Sequence, residues 1–223
     1  MDKKLFLEAI IKFVLGAVII GLIIFVPANT INYWNGWLFM GILFIPMFIA
    51  GIVMMVKAPE LLRKRLNAKE KENEQKSVVK LSGLMFLVGF IIAGLNYKYN
   101  WFIIPNFVVF ISSAIFILSY IIYAEVLREN RYLSRTIEVE ENQKVIDRGL
   151  YGIVRHPMYM ATIFLFLSMP LVLGSFISFV IFLVYPFIIG KRIKNEEEVL
   201  ERELKGYTEY KKKVKYKMIP FIW

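Results

Sequence analysis

The chain has 223 residues, 58% of them hydrophobic and 21% charged, with a mean hydropathy of +0.57 and a formal net charge of +10. That much apolar surface cannot be hidden in one soluble core of this size. The charges are instead gathered into clusters between long uncharged runs, as in membrane spans and their loops. The absence of cysteine excludes disulfides, thiolate metal sites and a cysteine nucleophile. The single histidine, His156, excludes a multi-histidine metal centre within one chain. The positive charge does not point to nucleic acid, because the basic residues flank apolar segments.

Six apolar segments follow in chain order, over 5–26, 37–56, 81–95, 102–124, 158–173 and 176–189. A helix crosses the hydrocarbon layer with about 20 residues. The first, second and fourth reach that length, and the third is short. The last two are also short, and only Leu173-Gly174-Ser175 separates them, so they read as a tight helical hairpin. The first run is too long for a signal h-region and lacks a small-x-small cleavage site, so it reads as a span. The expected fold is an all-α polytopic bundle of about six transmembrane helices in a single domain over 1–223. A C-terminal hairpin and a following helix lie in its 125–223 region.

Lysine and arginine set the orientation. Eight fall in 57–80, six in 125–157 and ten from Lys191 onward, whereas the opposite side carries only Lys98. Both termini and both large loops are therefore expected in the cytoplasm. Trp34, Trp37, Tyr97, Tyr99 and Trp101 fall where outer interfacial aromatics belong. The mixed-charge run 69–76 reads as a solvated helix or loop.

Polar chemistry collects in two places. Near 143–159, Gly149 and Gly152 permit tight turns or a close approach of backbone to ligand. Pro157 biases His156 away from helical geometry and can begin the next helix. Arg155-His156 should then sit at the basic mouth of the fifth span. That pair is either a snorkelling anchor or a site. After the hairpin, Arg192 and Glu196 are four apart and share a helical face. They form either a surface ion pair or the other half of the same pocket. The lysine run 211–213 suits anionic lipid headgroups, and the terminal Ile219–Trp223 patch either packs on the domain or dips into the interface.

These elements together resemble the isoprenylcysteine carboxyl methyltransferase family and its relatives among phospholipid methyltransferases. The resemblance is carried by Arg155-His156-Pro157-Met158-Tyr159, the hairpin, the pair Glu196-Glu197, and Gly206, Tyr207, Tyr210 and Pro220. It implies S-adenosylmethionine as methyl donor in a pocket that is not a Rossmann fold; no G-x-G-x-x-G stands between a strand and a helix. By resemblance, Val145, Ile146, Tyr151, Arg155, His156, Pro157, Met158, Tyr159 and Glu196 line the cofactor. Arg192 faces the acceptor and, with Glu196, forms the catalytic pair. The expected partners are a lipophilic or lipid-modified substrate and membrane lipids; neither nucleic acid nor a protein partner is expected. Two other functions fit the same spans: a nicotinamide-dependent membrane reductase of the sterol-reductase type, and a non-enzymatic transporter or assembly factor. The spans hold almost no ionisable residues, which speaks against an ion relay.

Overall fold

A computed structural model describes residues 3–66, 73–133, 137 and 139–223. Nine α-helices run through the described residues: α1 Lys3–Ala28, α2 Trp34–Lys57, α3 Pro59–Leu66, α4 Asn73–Tyr99, α5 Asn106–Glu129, α6 Pro157–Val172, α7 Phe176–Phe182, α8 Tyr185–Glu203 and α9 Tyr207–Lys213. No strand occurs among them. Residues 69–72 of the mixed-charge run lie outside the described residues, and 73–76 begin α4.

Five segments are long and apolar enough to span a membrane: α1, α2, α4 from Lys76, α5, and Phe176–Glu203, which joins α7 to α8. The protein is thus a polytopic helical membrane bundle. The fifth expected segment, α6, is a further apolar helix and is short as its sequence indicates: it has 16 residues, a length of about 24 Å against a hydrocarbon layer of roughly 30 Å. The third segment, expected to be short, is the longest helix at 27 residues. Its apolar run is continued at both ends by polar residues that keep helical geometry, a continuation hydropathy does not register. The last span breaks at Leu183-Val184 because Pro186, in the first turn of α8, has no N–H to carry the ladder across.

Lipid immersion explains the surface. Leu7, Leu22 and Val26 of α1 are each more than half exposed, an arrangement that water would not tolerate over a whole helix face. Between helices, lipid supplies no hydrophobic driving force, so close packing carries the association. On α5, Val109, Ser112, Ser113, Phe116 and Ser119 are buried at spacings of three and four, and this helix packs most extensively on α6. Ser113 and Ser119 return their hydroxyls to the carbonyls of Val109 (2.8 Å) and Ile115 (2.7 Å), which leaves a small, satisfied face. α4 packs on α1 and on α7 and α8. Buried phenylalanines 39, 90, 116 and 182 fill the centre, with Phe86 edge-on to Phe166 and Phe182.

The hairpin turn 173–175 is held at the end of the bundle remote from Arg155. Tyr33 donates its hydroxyl to the Leu173 carbonyl, Asn35 Nδ2 donates to Val172 O (3.0 Å), and Asn96 Nδ2 reaches Gly174 O (3.3 Å). Gly174 takes φ +74°, the left-handed turn that reverses the chain. Trp34, Trp37, Tyr99 and Trp101 are exposed at this same end, as interfacial aromatics should be. Tyr97 departs from that expectation. It stacks on the buried Tyr33 ring at 4.2 Å and donates to Asn32 O (3.0 Å), serving the turn instead of the lipid surface.

The α1–α4 contact sets a sharp limit on side-chain size. A Cβ at Gly94 would stand 2.6 Å from Ile24 O and 3.0 Å from Ala28 N, and backbone cannot swing aside. Gly94→Ala is therefore expected to destabilise the bundle by about 1–3 kcal/mol. Gly41→Ala, where a Cβ would meet nothing within 4 Å, should leave it unchanged. Thermal unfolding of both variants in detergent, side by side, checks this.

Candidate active site

The chain reaches the site through a turn that only glycine can make. After α5, Glu129 folds back and its carboxylate accepts from the Leu150 N–H at 3.0 and 3.2 Å. Gly149 beneath it has φ +62°, and any side chain there would collide with that carboxylate. The short 3-10 turn Gly149–Gly152 then leads into His156 and α6. Pro157 is the first residue of α6, where its missing N–H costs nothing. The hairpin of α6 and α7 returns α8 to the same end of the bundle.

There Glu197 is the hub. It is 4% exposed, and its Oε1 accepts from Arg155 Nε at 2.8 Å and lies 3.2 Å from His156 Nε2. Lys217 Nζ stands 3.3 Å from its other oxygen, and Lys211 Nζ 3.9 Å. Arg155 continues outward. Its Nη1 donates to Val214 O (2.7 Å) and Lys215 O (2.8 Å), while the backbone N–H groups of Arg155 and His156 donate to Tyr216 O (2.9 Å) and Lys217 O (2.8 Å). The chain after α9 is thereby strapped across the start of α6. A buried ion pair is sustained only when its remaining donors and acceptors are also satisfied, and here they are.

Beside this hub lies a cavity of about 820 Å3, open mouth included. Its walls bring together Val145, Ile146, Tyr151, Arg155, His156, Met158, Tyr159, Arg192 and Glu196. The loop after α5 adds Asn130, Tyr132, Gln143 and Lys144, and α8, α9 and the link between them add Leu200, Leu204, Tyr207 and Tyr210. Of the residues expected to line the cofactor or to form the catalytic pair, Pro157 alone is not in the wall; it is buried at the head of α6. Arg155 is in the wall, but its Nε and Nη1 already hold Glu197 and the tail. The acid that the lone imidazole touches is Glu197, the second of the pair, not Glu196. No cluster of three or more metal-ligating side chains occurs among the described residues.

The polar wall is a relay. Arg192 Nε donates to the Tyr159 hydroxyl at 2.9 Å, and Tyr159 in turn donates to Glu196 Oε2. The Tyr159 ring stacks on His156 at 5.7 Å between centroids. Arg192 and Glu196 share one face of α8, as their spacing requires, and the Tyr159 phenol on α6 bridges them. One turn beyond Glu196 along α8, Leu200 and then Leu204 continue the wall with Val145 as an apolar stretch, and Tyr210 donates to Tyr151 O at 2.7 Å. The Tyr207 hydroxyl is buried with no hydrogen-bond partner among the described residues. The lysines beyond are partly committed: Lys211 pairs with Glu201 and Lys213 with Asp147 at 2.7 Å.

Residues 113–202 match the model of the isoprenylcysteine carboxyl methyltransferase (ICMT) family. The matched stretch runs from within α5 to near the end of α8, so this part of the chain is similar to that family. A Delta(14)-sterol reductase of Mus musculus is 25% identical over 91 residues, which is 40% of this chain and 22% of that protein. The chain thus matches about a fifth of that relative's length.

Removing the hub acid while keeping the guanidinium leaves a buried cation without its anion. Glu197→Ala is expected to cost about 3–5 kcal/mol of stability, and Glu196→Ala, at the partly exposed cavity wall, much less. Chemical or thermal unfolding of the two variants in detergent distinguishes them, and equal losses would remove Glu197 from its central position.

Proposed function

We propose, taking the family match as the premise, that the protein is an S-adenosylmethionine-dependent methyltransferase acting on a lipophilic or membrane-embedded acceptor at the cytoplasmic face. The observation that carries the reading is the convergence of Arg192, Tyr159, Glu196 and His156 on one cavity at the charged end of the bundle, beside an apolar wall. The excess of lysine and arginine on that side supports its assignment to the cytoplasm.

The donor set fits the cofactor. The ligand carries an ammonium, a carboxylate, ribose hydroxyls and an aromatic base. Glu196 is an acceptor for the ammonium or a hydroxyl, Arg192 and Lys144 are cations, and Val145, Ile146, Leu200 and Leu204 suit an uncharged planar ring. When bound, the cofactor supplies an electrophilic methyl group, which the acceptor's lone pair takes as the carbon–sulfur bond breaks and sulfur leaves as a neutral thioether. The remaining work is positioning and exclusion of water, which an in-line displacement rewards most. Tyr159 holds Arg192 and Glu196 in fixed relation. His156, stacked on Tyr159 and held by Glu197, stiffens the same wall.

Arg192 sits where it can orient an anionic acceptor. A carboxylate is already ionised at neutral pH and needs no base; an amine would have to shed a proton, with the Glu196 carboxylate in the cavity wall the candidate acceptor. Both isoprenylcysteine-type carboxylates and phospholipid or small-molecule amines therefore stay within the proposal. The catalytic region is proposed as 125–223 within one membrane domain.

Purified protein in detergent should bind S-adenosylhomocysteine. Glu196→Ala and His156→Ala should each weaken that binding about tenfold, the worth of one good polar contact. Unchanged affinity in both would dismiss the site, and selective binding of a nicotinamide dinucleotide would reassign the chemistry. Arg192→Ala should keep cofactor affinity within about threefold yet reduce turnover by about a hundredfold or more. Transfer of labelled methyl groups into a total lipid extract gives the turnover readout and identifies the acceptor.

A further inference from the structure

The apolar part of the cavity contains a hydrogen-bond donor with no partner among the described residues. Tyr207 opens α9 directly after Gly206, whose φ of +90° turns the chain out of α8. Its ring packs with Tyr210 at 5.7 Å between centroids, and among Leu204, Val214, Val145 and Leu200. The residue is 4% exposed, lies in the cavity wall, and its hydroxyl has no partner among the described residues. Burial, reinforced by the neighbouring Glu197 and Glu196 carboxylates, holds this phenol well above its ordinary range, so it stays protonated and acts as a donor.

The contrast with Tyr210 is informative. Tyr210 uses its hydroxyl inside the protein, on the Tyr151 carbonyl at 2.7 Å. Phenylalanine would fill the Tyr207 site equally well without the free-energy cost of an unpaired buried hydroxyl. A hydroxyl kept there at that cost is accounted for by a partner that arrives with the ligand.

The cavity also says which part of a ligand that is. The groups able to hold charged substituents, Arg192 and Glu196, stand together with Tyr159. Tyr207 packs with Val145, Leu200 and Leu204, a surface suited to an uncharged ring that begins one turn of α8 beyond Glu196. Arg155 and Glu197 lie close by, but each already satisfies the other.

Resting on the methyl-donor reading above, we propose that Tyr207 reads the nucleoside half of the cofactor: its hydroxyl donates to a ribose oxygen or a ring nitrogen of adenosine. The amino-acid half then extends toward Arg192 and Glu196, with the sulfur between them. Tyr207 thereby fixes the direction in which the cofactor lies.

The test is binding of S-adenosylhomocysteine and of 5′-methylthioadenosine, which keeps the nucleoside and sulfur but lacks the charged tail. Both are titrated calorimetrically into the detergent-purified full chain. Tyr207→Phe should lower affinity for both ligands about tenfold. It should leave the ligand-free melting temperature unchanged or slightly raised, because the deleted hydroxyl has no partner among the described residues. Tyr210→Phe, which severs a bond within the protein, should lower that melting temperature. The proposal is overturned if Tyr207→Phe binds both ligands like the parent chain. It is also overturned if that variant loses affinity for S-adenosylhomocysteine alone, which would put the hydroxyl at the amino-acid half. A fall in melting temperature with no change in affinity makes Tyr207 structural. A parent chain that binds neither ligand removes the methyl-donor reading, and this one with it; a parent chain that binds both while the variant is unchanged removes only this one.

Discussion

A buried carboxylate, Glu197, is the point on which the charged end of the molecule is organised. Four segments meet at it: the turn before α6 through Arg155 and His156, α8 itself, α9 through Lys211, and the tail through Lys217. Burying a charge is costly unless it is paired and fully hydrogen-bonded. That cost makes the junction selective, since any shift of one segment would strand the others. The tail carbonyls of Val214 and Lys215 complete the account by taking up the guanidinium's Nη1. An arginine suits this place where lysine would not, because a planar fork can serve an acid and two carbonyls at once.

The cavity is rigid because of that junction. Two acids adjacent in sequence divide the work. Glu197 looks inward and is consumed by structure; Glu196, one residue earlier, accepts from Tyr159 in the cavity wall. A helical step of about 100° separates the two roles. The same economy recurs at the far end of the bundle. There Tyr33, Asn35 and Asn96 satisfy the carbonyls of the hairpin turn, so that the chain reverses where backbone groups need partners from within the protein. The hairpin is pinned at its tip by those residues and at its base by Glu197, and α6 and α8 have little freedom to slide.

Much of this was legible in the chain itself. The spans followed from uncharged runs of about 20 residues, the hairpin from three residues between two apolar segments, and the start of α6 from Pro157. The convergence of Arg155-His156 with Arg192 and Glu196 followed from the hairpin alone. The length of α4 was less legible, because hydropathy measures where lipid begins and not where a helix ends. Tyr97 looked interfacial by position, but a stacking partner 64 residues away, Tyr33, drew it inward.

The sequence alone determined what must face lipid, which ends carry charge and which polar residues return to the same end, since these depend on composition and local spacing. Tertiary structure alone decided which of two neighbouring acids is buried, that Arg155 binds the tail, and that Tyr207 keeps an unspent hydroxyl while Tyr210 does not. Those outcomes depend on the rotation of α8 and α9 about their axes and on carbonyls contributed by residues 214–217. A one-dimensional pattern carries neither, because a hydrogen bond is fixed by ångström-scale geometry between segments that only folding brings together.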